Sequence, residues 1–152
     1  MTSTDAIPSA GFGPVTVYFG DKTGKYPDGN QVVVRGRDTM AVFDTPQVAN
    51  RLGDILAEAD LAIVGPVHED HMAGLHLMPG KPVWVHEADV EAARSWQGLS
   101  RHYGYPQPVL DELREKFERT STTAHGPTPQ GCALLPSTRR IASGIAAGIV
   151  ST

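Results

Sequence analysis

The sequence predicts an α/β domain of the layered α+β kind, built on a mixed sheet. Three observations carry this reading. Three short β-branched runs follow one another closely before residue 44, strand-like and helix-like segments alternate after it, and residues 61–64 are apolar at every position. A strand without polar positions is one buried on both faces. Repeated passage from strand to helix makes a layered domain.

Residues 1–13 are small and polar and contain Gly and Pro, which predicts a flexible N-terminus. Residues 15–19 form the first strand-like run. Residues 20–30, with three glycines, one proline and two aspartates, read as a wide loop. Strands at 31–35 and 40–43 follow, and their closeness in sequence favours an antiparallel meander. Thr45 is placed to cap a helix that opens with Pro46 and runs through Glu58. Val48, Leu52, Ile55, Leu56 and Ala59 give that helix one apolar stripe. The strand at 61–64 ends at Gly65-Pro66. A helix-like stretch opens near Met72, a strand covers 82–85, a helix covers 87–96, and a last helix covers 109–117.

The composition of the 152 residues is 40% apolar, 20% charged and 7% aromatic, with a formal net charge of -4. This fits one globular domain with a core. An acidic balance gives no electrostatic ground for a nucleic-acid or anionic-membrane partner. Cys132 is the single cysteine, which excludes an internal disulfide and fits a cytoplasmic location. The first ten residues lack a cationic start and an apolar centre, and no run of about 18 apolar residues occurs.

The chemistry-bearing stretch is Val67-His68-Glu69-Asp70-His71-Met72-Ala73-Gly74. It leaves a buried strand at its C-terminal edge, where open α/β sheets place ligands. Imidazole and carboxylate donors suit zinc, iron or manganese. His68 and His71 converge if the loop turns into a helix. On the residues alone, ordinary polar surface, or an acidic helix start pairing with the helix dipole, explains the cluster better than a metal does.

This stretch resembles the His-x-His-x-Asp-His signature of the metallo-β-lactamase superfamily, followed after two intervening residues by Gly. His68, Asp70, His71 and Gly74 match its second histidine, aspartate, last histidine and glycine. Residues 29–36, 42–45, 61–64 and 83–87 resemble the strands around that motif, and the resemblance spans roughly residues 15 to 117. It implies half of an αβ/βα metallo-β-lactamase-like sandwich, with helices on one face of a mixed sheet. It also implies a metal-dependent hydrolase, in which metal-activated hydroxide attacks an ester, thioester, lactone or related bond of a small-molecule substrate. Intact relatives hold two zinc ions, with iron or manganese as alternatives. By resemblance His68 belongs to the first metal site, and Asp70 and His71 to the second. Asp70 also orients the hydroxide, and Asp44 and Gly74 support the loop.

The match departs from the family at two places. Pro66 stands where the first histidine belongs, so the first site keeps one donor from this motif. The ligands of the family's second half do not follow. His76 and His86 read as structural histidines and His102 as a surface one, and His125 lacks a Gly-His context. The expected organisation is a flexible 1–13, a partial domain at 14–119, and a poorly structured tail at 120–152. That tail contains no acidic residue. A frame-shifted origin and a natural unstructured tail both account for it. Read one base upstream, codons for residues 120–129 can encode Asp-Phe-His-Tyr-Ser-Ala-Arg-Pro-Asp-Ala, an ordinary coding stretch.

Two functions follow. One is a metal-dependent hydrolase with impaired activity. The other is a non-catalytic truncated module with weak or no metal binding, whose uncovered sheet face favours a homo-oligomer. A Ser or Cys132 nucleophile is disfavoured, because no Gly-x-Ser-x-Gly elbow occurs.

Overall fold

The computed structural model describes residues 6–121 except Thr23, and the side chains of residues 116–121 are not part of that description. Six strands form one sheet in simple order: β1 (Ser9–Phe12), β2 (Val15–Tyr18), β3 (Gln31–Arg35), β4 (Met40–Phe43), β5 (Leu61–Ile63) and β6 (Val83–Trp84). The first four pair antiparallel, and β4–β5 and β5–β6 pair parallel. The sheet is therefore mixed, as the sequence predicts. The switch to parallel pairing falls where helices begin to separate the strands, because a parallel return needs a crossover.

Register shows how the two faces differ. Val33, Val42, Ala62 and Val83 are cross-strand partners, so they share a face. They are almost fully buried and pack with Leu52, Leu56 and Ala59, and with Ala92 and Leu99. Leu56, Ala92 and Leu99 lie in α1 (Gly53–Glu58), α2 (Val90–Arg94) and α3 (Trp96–Tyr103), and Leu52 and Ala59 flank α1 on either side. Each buried Val or Leu contributes about 1.5–3 kcal/mol of transfer free energy. The helices thus stabilise the sheet by covering this face. The opposite face carries one row of Phe12, Val15, Val34, Ala41 and Leu61. A second row holds Ala10, Val17, Val32, Phe43, Ile63 and Trp84. Neither row belongs to the core built by the helices.

Four local differences from the sequence reading have physical causes. Ser9–Phe12 forms a strand, although the sequence reading gives residues 1–13 no element; Phe19 donates to the Pro8 carbonyl and continues the pairing. The expected helix from Thr45 to Glu58 divides into a 3-10 turn, Gln47–Arg51, and α1. Leu52 breaks it, with φ -117° and ψ 32°. Thr45 does not cap that turn. It is fully buried, and both its amide and its hydroxyl donate to the carbonyl of His71, at 2.8 and 3.3 Å. The expected helix 87–96 gives way to a separate α3, capped by Ser95, whose Oγ accepts from the Gly98 amide at 3.0 Å.

The last helix, α4, runs Gln107–Ser121, past the predicted end. Most of the expected tail, with His125 and Cys132, lies outside the described residues. Among the described residues no helix is long and apolar enough to cross a membrane.

Candidate functional site

The segment after β5 alternates between the core and the sheet rim. Val64 and Val67 are buried, while Gly65 and Pro66 are exposed between them. Val67 anchors the loop, and the chain then makes one 3-10 turn over Glu69–His71. The His71 amide donates to the His68 carbonyl at 3.1 Å. In a 3-10 turn residues three apart eclipse one another. The His68 and His71 rings accordingly stand edge to face, with centroids 6.1 Å apart.

Asp44 braces this turn from below. It leaves β4 at φ 55°, in the left-handed region that Asp tolerates better than most residues. Buried Gln31 holds that bend in place, its Nε2 donating to the carbonyls of Phe43 at 3.3 Å and Asp44 at 3.0 Å. Asp44 Oδ1 accepts from the Gly65 amide at 2.8 Å, and Oδ2 lies 2.9 Å from His71 Nδ1. An ionised carboxylate only accepts, so Nδ1 is the donor of this contact, and in the neutral ring that tautomer leaves the Nε2 lone pair open. Nε2 faces Asp70 Oδ2 at 3.8 Å.

Gly74 closes the loop against the preceding crossover. Its amide donates to the Thr45 carbonyl at 2.8 Å. A Cβ added there would lie 2.7 Å from Ala49 Cβ and 3.3 Å from Thr45 Cβ. The backbone therefore approaches more closely than a side chain permits. The glycine that the motif contains is a packing requirement here.

The His68 side is furnished from a distant part of the chain. The Tyr103 ring lies 5.3 Å from that of His68, and the His102 ring 6.1 Å away. Tyr103 donates to Glu69 Oε2, and Tyr26 donates to Glu69 Oε1 at 3.3 Å. Burial, then the hydrogen bond and charge of Glu69, push the Tyr103 phenol well above its usual range. It stays protonated and holds the end of α3 against the turn. Tyr105 stacks on Tyr103 at 5.4 Å. These residues escape sequence reasoning because Glu69 and Tyr103 are 34 positions apart. His102 comes to the edge of the site, and its Nδ1 lies 3.8 Å from Asp89. His86 accepts from the Ala88 amide at 3.1 Å, a structural role. His76 lies half-buried in the 3-10 turn Leu75–Leu77.

A zinc ion needs about three protein donors in a catalytic site and four in a structural one. Two atoms sharing zinc, each about 2.0–2.1 Å from it, lie about 3.4 Å apart at tetrahedral geometry and at most about 4.2 Å apart in any geometry. The 3.8 Å between Asp70 Oδ2 and His71 Nε2 satisfies that limit. The number of donors does not. Among the described residues no group of three His, Cys, Asp or Glu side chains is arranged to hold a metal ion. The turn fits two donors of a site and falls short of a complete one.

The fold has a counterpart among solved structures. The crystal structure of AbOPH, a hydrolase in the β-lactamase superfamily, superposes with a TM-score of 0.51 at 12% sequence identity. The match covers 86% of this chain and 62% of that one, so this chain spans less than two thirds of the length of its structural neighbour. No protein-family model matches the sequence. No curated protein matches it either.

Proposed function

We propose that this chain is a metallo-hydrolase-type module of β-lactamase-superfamily fold, whose 68–71 turn supplies a half-built metal site. The observation that carries the reading is the Asp44–His71–Asp70 relay. Asp44 fixes the imidazole so that its free nitrogen and the Asp70 carboxylate lie within the span of one shared ion. Metal-bound histidines characteristically donate their other nitrogen to such a carboxylate, which sets tautomer and ring angle. A bound metal would lower the pKa of a water ligand and polarise a carbonyl or phosphoryl group.

This chain's own residues contribute orientation. Asp70 and His71 offer donors, Asp44 orients one of them, and His68 waits at the other end of the turn. Zinc is the ion this donor set fits best, with iron or manganese as alternatives. Pro66, exposed and without a side-chain donor, leaves the first site with His68 alone. Hydrolysis of an ester, thioester or lactone by this chain is accordingly weak, or depends on a donor from outside the described residues. The second reading, a non-catalytic module, draws on that same shortage of donors.

Zinc content and hydrolysis of a nitrophenyl ester, measured together on the purified full chain, separate the two. The hydrolase reading expects zinc to be retained weakly, in equilibrium dialysis, and a slow zinc-dependent turnover, both lost in Asp70→Ala. No retained zinc and no turnover leave the non-catalytic module standing.

A further inference from the structure

We infer that Gln31 is a positioning residue for the 68–71 turn, acting on His71 through Asp44. The inference rests on the metal reading above and adds a residue that the motif does not contain. Val32 pairs with Phe43 across β3 and β4, so the next step of that ladder sets Gln31 opposite Asp44. Asp44 leaves the ladder there, its backbone turning into the left-handed region at φ 55°. Its amide still pairs with β5, donating to the Ile63 carbonyl at 2.8 Å. Its carbonyl is taken by the Gln31 side chain instead, at 3.0 Å. The bend is thus clamped from both neighbouring strands, and the carboxylate it aims meets His71 Nδ1.

The chemistry at position 31 points to the site rather than to the core. Gln31 is fully buried, in surroundings where apolar side chains are the rule. Its two N–H protons serve three carbonyls, those of Val32, Phe43 and Asp44. Its Oε1 is, among the described residues, the one buried side-chain oxygen or nitrogen without a hydrogen-bond partner. An unpaired buried oxygen is destabilising, and such exceptions gather where a site dictates the geometry. Other side chains serve the bend less well. Glu presents no donor when ionised, Lys and Arg would bury a charge, and Asn is one methylene shorter.

Two-bond proton–nitrogen correlation spectra of the metal-free full chain, recorded above the imidazole titration range, test this without relying on zinc. His71 is expected as the Nδ1–H tautomer in the wild type. In Gln31→Met it is expected to shift towards the Nε2–H form, with far-ultraviolet circular dichroism unchanged. His86, whose Nδ1 accepts from the Ala88 amide, is the internal reference and keeps the Nε2–H form in both proteins. Zinc affinity should fall by up to about tenfold in Gln31→Met, and no further when Asp44→Asn is already present. If Gln31→Met does not fold, Gln31→Asn, which keeps the buried amide, is expected to give the same tautomer shift. An unchanged His71 tautomer, or zinc losses that add in the double variant, overturns the inference. So does failure of both variants to fold, which would make Gln31 a folding residue. A wild type that binds no zinc, alongside the tautomer shift in the variant, overturns the metal reading alone and supports the positioning of His71 by Gln31.

Discussion

The two ends of the 68–71 turn are held in different ways. His71 is locked: its backbone carbonyl takes two hydrogen bonds from Thr45, and its Nδ1 meets Asp44 at 2.9 Å. His68 is held by ring contacts with Tyr103 and His102, and its side chain makes no capping hydrogen bond. The locked end contains the pair Asp70 Oδ2 and His71 Nε2, 3.8 Å apart. The loosely held end is the one facing Pro66, where a further donor is missing. In the proposed metal site, orientation and donor number are therefore separate properties. This turn has the first without the second.

Removing the lock should have the largest effect. Asp44→Asn tolerates the left-handed backbone but no longer offers a carboxylate to His71. Zinc affinity is expected to fall about 10–100-fold with the fold retained, measured by competition with a chromogenic chelator. An unchanged affinity would mean that His71 needs no brace. Gly74→Ala comes next, because its Cβ would enter space held by Ala49 and Thr45. Overpacking of this kind costs about 1–3 kcal/mol, read as a lower midpoint in urea. Zinc affinity should fall with it, since the glycine amide ties the turn to Thr45.

The smallest effect is expected at the loose end. Tyr103→Phe removes the donor to Glu69 while Tyr26 still reaches the other oxygen. A loss of about 0.5–1.5 kcal/mol in chemical denaturation is expected, with little change in zinc affinity. A large drop in zinc affinity would show that both ends of the turn set the geometry.

Much of the fold was legible in the sequence because it depends on local pattern. The runs at 31–35, 40–43 and 61–64 announce β3, β4 and β5 by composition, and Gly65-Pro66 marks where β5 must stop. Gly74 stood out through the motif, and the close approach to Ala49 explains it physically. What escaped depends on distant partners or on single backbone angles. Ser9–Phe12 has no strand-like alternation and becomes β1 because β2 offers it an edge. Leu52 interrupts a continuous apolar stripe through its dihedral angles, which the stripe does not encode. Tyr103 and His102 reach the site only because α3 folds back over α2. There a Cβ on Gly98 would sit 1.7 Å from the Glu91 carbonyl oxygen, so only glycine lets the helices meet.

Calorimetric titration of zinc into the wild type, Pro66→His and Asp70→Ala, on one protein scale, is the most direct test of the half-built site. Pro66 is exposed, so the histidine should be accommodated without repacking. Weak binding by the wild type, clear tightening in Pro66→His and none in Asp70→Ala is the predicted pattern. Equal heats from all three proteins would contradict a metal site at this turn.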